Sequence, residues 1–376
     1  MPLLSDQQVI QQVFQHIDQE TTELAEEVWQ EPVENYRSEE RFNQELELLR
    51  RLPVPFCPSA AIPETGSFLA RSAAGTPLIV TRDEHGDVKA YRNACRHRGM
   101  QVAQGSGQTR IFVCPYHAWA YGLDGKLQHI PHEHGFPGLD KCKHSLVAVK
   151  AFEKHGLVFV AQEEAANQGA LDGLDEIPQL INDDQKIFIT EESVLSVNWK
   201  LNLESSLEGY HIKPTHRETF YPYGFDNLNV VETFGQNSRV TYPFRRIEKL
   251  RDVPESERKI TGMVTYVYQI FPNVIVAVLS NHTSITISEP ISPTETRTHT
   301  FKLNNSGEGA EMSEQAIRDA AFVAETGGKE DDAVVAGIQA SIGSGANSHF
   351  TYGQFEKAII HFHKFIHQGL AKLSEG

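Results

Sequence analysis

The sequence of 376 residues has little of what would place it in several large classes of protein. Its four cysteines, at positions 57, 95, 114 and 142, are too few for a disulfide framework in a chain of this length. No apolar run approaches the ~18 residues that a membrane helix needs. The N-terminus lacks a basic segment followed by an apolar one, so no signal peptide is predicted. We therefore expect a cytoplasmic globular protein.

Positive charge is scarce as well. The chain has 34 Lys and Arg against 50 Asp and Glu, which gives a formal net charge of −16. This balance argues against nucleic-acid binding through a basic surface. It favours small-molecule chemistry, or docking to a partner that has a basic patch.

The first half of the chain changes character near residue 60. Ser5 and Gln8 can form a capping box, and the apolar spacing that follows predicts a helix over 5–30, with a second helix over 40–52. From about 60 to 162, short β-like runs alternate with turn signals, which indicates a compact all-β unit. Residues 163–185 are acidic and contain glycine, so they are interpreted as a link to a second domain.

The second half combines strands with long helices. Strand-like runs are predicted at 187–199, 227–248 and 261–302, and helical stretches at 311–341 and 353–373. Strands and helices that are segregated along the chain in this way indicate an α+β fold.

Two pairs of metal-binding residues lie in the β-like half. Cys95-x-His97 is followed after sixteen residues by Cys114-x-x-His117. Two thiolates and two imidazoles suit tetrahedral zinc. They suit equally well a [2Fe–2S] cluster in which cysteines hold one iron and histidines the other.

A second group of such residues has the spacing Glu208-x-x-His211-x-x-x-x-His216. Two histidines and a carboxylate on one face are the ligands of mononuclear iron in enzymes that activate O₂. Both histidines can reach one ion if the helix ends or bends between them, and Pro214 favours such a break.

Three stretches carry a resemblance to a known family: CRHRG (95–99), CPYHAW (114–119) and NWKLNLESSLEGYHIKPTH (198–216). The first two resemble the Rieske-type module of ring-hydroxylating oxygenases, and the third is similar to the segment that begins the catalytic half of Rieske non-heme iron oxygenase α subunits. The resemblance implies a [2Fe–2S] cluster on Cys95, His97, Cys114 and His117. Loop cysteines that form a disulfide in respiratory Rieske proteins are absent here.

The same resemblance implies a mononuclear iron on His211, His216 and an aspartate far downstream. The matching text is KEDDAVVAGIQ (329–339), in which Asp331 is chosen and Asp332 is the competitor. An acidic pair there could also be the first turn of a helix, where the helix dipole favours carboxylates.

For the fold, the resemblance implies three parts. Residues 1–50 are expected to be N-terminal helices packed on the catalytic domain, 51–165 an all-β Rieske domain, and 166–376 a helix-grip (START-like) catalytic domain with an antiparallel sheet and a long C-terminal helix. Segment 261–290 is expected to line the substrate pocket.

Glu208 has a role of its own in this resemblance. In the family an acidic residue at this position links a cluster histidine of one subunit to an iron histidine of its neighbour, so Glu208 is expected to bridge electron transfer between subunits. Most members have aspartate there, and the glutamate is shared with the carnitine and glycine-betaine monooxygenase branch.

The resemblance implies the terminal oxygenase of a multicomponent system, assembled as a homotrimer. NAD(P)H acts only indirectly, through a separate reductase and a possible ferredoxin, and O₂ is used to hydroxylate a small aromatic or aromatic-acid-like substrate, as in aromatic hydrocarbon catabolism. A quaternary-amine monooxygenase or N-demethylase is the alternative. A redox-sensing iron–sulfur protein and a zinc hydrolase are the other classes considered.

Other residues that attract attention have ordinary explanations. The three histidines of HIPHEH (129–134) are expected in a solvated loop, and His361, His363 and His367 on a polar helix face. SIGSGANS (341–348) lacks a nucleotide-binding pattern and is read as a loop. Cys57 and Cys142 are expected to be buried thiols.

Overall fold

The computed structural model describes residues 3–163, 174–176, 179–305 and 309–374. It divides the chain into two compact units. One, which we call the β unit, is Leu49–Asn167; the other, which we call the α+β unit, joins Met1–Leu48 to Gln168–Gly376. Much of the expected link at 163–185 lies outside the described residues.

The described α-helices are α1 (Asp6–Gln19), α2 (Glu39–Arg51), α3 (Trp199–Glu204), α4 (Ile212–Thr215), α5 (Gly309–Val323), α6 (Lys329–Ser341) and α7 (Lys357–Ser374). The strands of the β unit are β2 (Val54–Pro58), β3 (Ser67–Ala73), β4 (Thr76–Arg82), β5 (Val88–Arg92), β6 (Gly105–Gln108), β7 (Ile111–Val113), β8 (Ala120–Gly122), β9 (Leu127–His129), β10 (Ala148–Lys154) and β11 (Leu157–Ala161). Those of the α+β unit are β1 (Trp29–Pro32), β12 (Ile187–Leu195), β13 (Val230–Phe234), β14 (Asn237–Pro243), β15 (Val264–Ile270), β16 (Val274–Val278), β17 (His282–Ser292), β18 (Glu295–Asn304) and β19 (His349–Tyr352).

The β unit contains two antiparallel sheets. Seven strands pair in the order β2-β11-β10-β5-β4-β3-β6, and three pair in the order β7-β8-β9. One core cluster of this unit includes Trp119, Tyr121 and Phe112 together with Cys95 and Cys114, so both cysteines are anchored in packed hydrophobic structure. The all-β architecture expected for this part of the chain is confirmed.

The α+β unit is built on an antiparallel sheet of order β12-β18-β17-β16-β15-β14-β13. The long C-terminal helix α7 packs against β13 and β14. Helix α1 buries Val9, Ile10 and Val13 in a cluster with Val230 of β13. Because one sheet is covered by helices in this way, the α+β fold class is confirmed.

The first helix is shorter than predicted. The Ser5–Gln8 capping box is present, but α1 ends at Gln19 and Glu20 adopts a left-handed conformation with φ 52°. The helix predicted over 5–30 is therefore wrong beyond residue 19. The second predicted strand segment, 227–248, ends in the first residues of a 3-10 helix, Arg245–Asp252, so its last part is not a strand.

The polar helix face predicted for the histidines of α7 is wrong for His363. This side chain is completely buried, and its Nε2 lies 2.9 Å from Glu204 Oε1 and 3.1 Å from Tyr36 Oη. Glu31, also completely buried, accepts a hydrogen bond from His367 Nε2 at 2.9 Å. The periodicity of apolar residues predicts which face of a helix is buried. It does not predict that a polar face is also buried, here by polar side chains of β1 and α3.

Cys57 is buried as expected, and burial raises the pKa of its thiol to about 12. Cys142 is exposed, so the prediction of a buried thiol is wrong at that position. None of the described helices combines the length and apolarity required to cross a membrane.

Candidate metal centres

Two loops of the β unit bring the four predicted cluster residues to one place. Cys95 and His97 follow β5, and Cys114 and His117 follow β7. Each loop turns tightly: Gly99 N–H donates to Cys95 O at 2.8 Å, and Ala118 N–H donates to Cys114 O at 2.9 Å. Gly99 and Ala118 both have positive φ, 78° and 55°, as these turns require.

Within this group the two kinds of ligand are segregated. Both thiols are buried, at 4% and 2% exposure, and lie within hydrogen-bonding reach of each other. The Nδ1 atoms of His97 and His117 lie 3.1 Å apart on the exposed side. His97 stacks on Trp119 with ring centroids 4.9 Å apart, which orients its ring.

The segregation suits a two-iron cluster better than one ion. Among the described residues, three metal-binding side chains have ligand atoms that all lie within 4.8 Å of one another: His211, His216 and Asp331. A single tetrahedral zinc would instead need all four loop side chains around one point. A cysteine pair and a histidine pair at opposite sides fit the donor set of a Rieske cluster. Tyr121 adds a hydroxyl 3.2 Å from Cys95 Sγ, a contact that tunes such clusters.

In the α+β unit, a single helical turn positions His211 and His216. They flank α4 as its N-cap and C-cap residues, and His216 N–H donates to Ile212 O at 3.0 Å. Pro214 lies inside this turn, and the helix ends one residue after it, at Thr215, so it ends between the two histidines as predicted. In the first turn of a helix the backbone N–H has no partner within the helix, so proline is tolerated there.

The third member of this set is Asp331 rather than Asp332. Asp331 Oδ1 lies 3.0 Å from His216 Nε2 and 3.4 Å from His211 Nε2. The acidic residues are not at a free helix N-terminus, because α5 continues into α6 through a π-helical turn, Ala324–Gly328. Such turns change the register of a helix and are frequent at functional sites.

Both imidazoles have a carboxylate on the side away from Asp331. Glu208 hydrogen-bonds to His211 Nδ1 through a very short contact, and Glu330 lies 2.7 Å from His216 Nδ1. Thr219 Oγ1 donates to the same Glu330 oxygen at 2.6 Å. Carboxylate partners of this kind fix the tautomer and orientation of a metal-binding histidine. Glu330 escaped the sequence analysis, although it directly precedes Asp331.

The electrostatic field at this site favours a cation. Burial opposes protonation of His211, but hydrogen bonds to Asp331 and Glu208 raise its pKa to about 10. Burial raises the pKa of Asp331, but hydrogen bonds to His211 and His216 lower it below its ordinary value. Two imidazoles and one carboxylate aimed at one point, with anionic groups behind them, fit a divalent iron.

The set opens into a cavity of about 750 Å³ within the α+β unit. Phe220, Tyr223, Phe225 and Phe322 contribute aromatic rings to its wall. Phe220 packs on His216 with ring centroids 4.8 Å apart. A Cβ at Gly327 would lie 2.0 Å from the Phe220 ring, so the π-helical turn must have glycine there. Segment 261–290 contributes residues such as Thr265, Val267 and Leu279 to the lining.

The sequence belongs to the family whose members combine these two halves. A model of the Rieske [2Fe–2S] domain matches residues 53–153, and one of the ring hydroxylating alpha subunit (catalytic domain) matches residues 179–372. The chain is therefore a member of the Rieske non-heme iron oxygenase α-subunit family, whose cofactors are a [2Fe–2S] cluster and mononuclear iron.

Within that family, similar proteins include oxygenase subunits named for quaternary amines. The chain is 34% identical over 161 residues to the glycine betaine monooxygenase oxygenase subunit of Chromohalobacter salexigens, covering 42% of this chain and 36% of the relative. It is 29% identical over 232 residues to the carnitine monooxygenase oxygenase subunit of Acinetobacter pittii, covering 58% and 60%. The matched part thus spans between a third and two thirds of these relatives.

The solved structure of a quaternary ammonium Rieske monooxygenase has the same fold. It superposes with a TM-score of 0.79 at 20% sequence identity, covering 98% of this chain and all of that one.

Proposed function

We propose that this protein is the terminal oxygenase of a multicomponent Rieske system and that it oxidises a small quaternary ammonium compound. The observation that carries the proposal is the convergence of His211, His216 and Asp331 on an aromatic-walled cavity. A bound iron would supply O₂ activation there, and Cys95, His97, Cys114 and His117 would hold the cluster that supplies electrons.

The quaternary amine is preferred to the aromatic substrate that was the first expectation from the sequence. The two curated relatives described above are named for glycine betaine and carnitine. Besides the carboxylates engaged by the two histidines, Asp319 lies in the cavity lining, and a carboxylate favours a cation over a neutral ring. Aromatic side chains attract a trimethylammonium group through their π faces.

The residues of this chain contribute positioning and charge. Glu208 and Glu330 orient the two imidazoles, and the rings that cover the cavity limit the access of water. Hydroxylation at a carbon attached to the quaternary nitrogen consumes O₂, two electrons and two protons and yields water. The bond from the hydroxylated carbon to nitrogen then breaks: nitrogen keeps the electron pair and leaves as a tertiary amine, the carbon becomes an aldehyde, and the hydroxyl proton is released.

The assembly proposed with this activity is a homotrimer served by a separate NAD(P)H reductase, with or without a ferredoxin. Glu208 then links the iron site to the cluster of a neighbouring copy. The position of Glu208 just below the surface supports this role, because its side chain is 12% exposed and the neighbouring Tyr210 is 56% exposed. A redox sensor would need only the cluster, and in a zinc hydrolase Glu208 would have to be free to activate water rather than bound to His211.

The test is O₂ consumption by the purified protein reconstituted with iron, sulfide and a Rieske-oxygenase reductase. We expect consumption that depends on quaternary amines and matches the aldehyde formed, and none with Asp331→Ala. Asp332→Asn is the matched control that keeps activity. Oxidation of aromatic acids but not amines would contradict the substrate class, and no substrate-dependent O₂ uptake would contradict the oxygenase.

A further inference from the structure

Ionisable side chains lie buried in the α+β unit outside the lining of the cavity. Glu31, Glu204 and His363 are 0%, 6% and 0% exposed. Buried ion pairs usually add little stability compared with apolar packing of the same volume, so stability alone does not account for them. They are connected to the iron site through α3, because Glu204 ends this helix and Glu208 follows one turn later.

A chain of close contacts leads from the surface to Glu204. His367 is 36% exposed, and its Nε2 lies 2.9 Å from Glu31 Oε2. The same Glu31 oxygen lies 3.6 Å from His363 Nδ1, and His363 Nε2 lies 2.9 Å from Glu204 Oε1. His363 thus has a carboxylate beside each ring nitrogen. An imidazole in this position can accept a proton at one nitrogen and release a proton from the other.

Glu204 is held as a carboxylate by two phenols. Tyr36 Oη donates to its Oε1 at 2.7 Å, and Tyr352 Oη donates to its Oε2 at 2.8 Å. Lys200 of α3 also acts on Glu204 electrostatically, but both oxygens of Glu45 already hold its Nζ at 2.8 Å. Hydrogen bonds to the charged form favour it, so Glu204 passes a proton on rather than storing it.

Glu356, directly before α7, is the carboxyl group that can store a proton. Gly353 N–H donates to its side chain at 2.6 Å. Burial raises the pKa of Glu356 to about 7, and the charges of Glu208 and Glu204 act in the same direction, against the Gly353 hydrogen bond and His211. Glu356 therefore takes up and releases protons near neutral pH.

We call these five residues the acid–histidine cluster: His367, Glu31, His363, Glu204 and Glu356. It contains three carboxyl groups and two imidazoles, so negative charge is in excess even if both imidazoles are protonated. Like charges that are brought together out of water disfavour full ionisation. The cluster therefore retains an exchangeable proton.

We propose that the acid–histidine cluster is a proton relay, which carries protons from the surface at His367 to Glu356 during turnover. The inference rests on the proposed function, because the hydroxylation consumes two protons for each O₂ in a cavity whose aromatic walls limit the access of water. Two passages along the relay supply these two protons.

In each passage one proton moves inward and no electron is transferred. His363 takes up a proton at Nδ1 through Glu31 and releases the proton of Nε2 to Glu204, which passes it to Glu356. The imidazole then rotates back to its first tautomer.

The test compares Glu356→Gln and His367→Ala with the wild-type protein at pH 8 and pH 6. Both variants should lower kcat by about 100-fold at pH 8, as for the loss of a proton-transfer group. The loss should be smaller at pH 6, because the solution then supplies protons to the cavity more readily. The solvent deuterium isotope effect on kcat should increase, whereas Kd for the amine and the content of iron and sulfide should stay at wild-type values.

Rescue by imidazole distinguishes proton transfer from a structural role. Imidazole in the buffer should restore turnover of His367→Ala, because it replaces the missing ring at the surface end of the relay. It should not restore Glu356→Gln. Glu27→Gln is the matched control: Glu27 is 60% exposed and pairs with Lys364 of α7, so this variant should behave as wild type at both pH values.

Infrared spectroscopy gives a second readout that needs no turnover. The wild-type protein should have the C=O band of a protonated carboxyl group that titrates near pH 7, and Glu356→Gln should lack it.

The outcomes separate this inference from the proposed function. If wild-type protein oxidises quaternary amines and both variants keep its kcat, pH profile and isotope effect, the relay is wrong and the amine oxygenase stands. Equal losses at both pH values without rescue by imidazole would likewise contradict the relay alone. If wild-type protein oxidises no quaternary amine, the proposed function and the relay are both wrong.

Discussion

The two units differ in charge and in how they hold their candidate centres. The β unit, Leu49–Asn167, has 14 Lys and Arg against 10 Asp and Glu, a net +4, whereas the remainder has 20 against 40, a net −20. The β unit presents His97 and His117 at an exposed edge over buried thiols. The α+β unit instead buries His216 at 1% exposure and holds both imidazoles with carboxylates.

Under the proposed function, this difference corresponds to two tasks. A centre that exchanges electrons with other proteins needs a ligand edge near the surface. A centre that reacts with O₂ and substrate needs a shielded cavity and a field that retains a cation. The proposed homotrimer, in which the β unit of one copy would dock on the α+β unit of another, would be favoured by these opposite net charges.

The largest effect should come from removing one centre at a time. Asp331→Ala should lose the mononuclear iron and keep two labile sulfides per chain, whereas Cys114→Ser should lose the cluster and keep the mononuclear iron. Activity should fall in both by more than the ~100-fold typical of residues that merely support a ligand. Iron and sulfide analysis of each variant is the measurement. Loss of both centres from either single variant would show that the two units are not independent sites.

A smaller and more selective effect is expected for the two supporting carboxylates. Glu330→Gln should weaken iron binding by ~10–100-fold, because the orientation and basicity of His216 depend on it, and saturating Fe(II) should restore turnover. Glu208→Gln should keep both centres when Fe(II) is saturating yet remain nearly inactive, because the proposed electron link between subunits would be lost.

Glu218→Gln, at an 88% exposed position, is the control for both and should behave as wild type. Normal turnover by Glu208→Gln would show that Glu208 is not the electron bridge.

The smallest effect concerns acid stability, and it should arise in the α+β unit. His282 is 1% exposed, and burial lowers its pKa to about 4 from the ordinary value of 6.5. Between pH 6.5 and 4 the unfolded chain binds a proton at this residue that the folded chain does not, so stability falls as pH falls through that window. The difference corresponds to about 3 kcal/mol.

Replacement by glutamine removes this titration. The loss of unfolding free energy between pH 7 and pH 4.5, measured with urea, should be smaller in His282→Gln than in wild type. His134→Gln, at an exposed position of the β unit, should leave that loss unchanged. An unchanged pH dependence in His282→Gln would show that His282 is not buried in its neutral form.

Much of this arrangement could be predicted from the sequence, because loop motifs carry their ligands at short, fixed spacings. Cys95, His97, Cys114, His117, His211 and His216 were predicted as ligands in this way, and the structure brings the members of each group together. For the third iron ligand, the sequence left a choice between two neighbours, Asp331 and Asp332. The π-helical turn before them changes the helical register, so no periodic signal separates the two.

Features that depend on contacts distant in sequence could not be found. Glu330 was missed because its partner His216 lies 114 residues away. His363 was misread because its cover comes from Glu204 and Tyr36. The opposite net charges of the two units follow from the sequence only once the boundaries of the units are known from the structure.

The most direct test of the account is the metal content of the purified wild-type protein, with the electron paramagnetic resonance spectrum of its reduced form. We predict about three irons and two labile sulfides per chain, with the spectrum of a Rieske cluster. Zinc without sulfide would contradict the account.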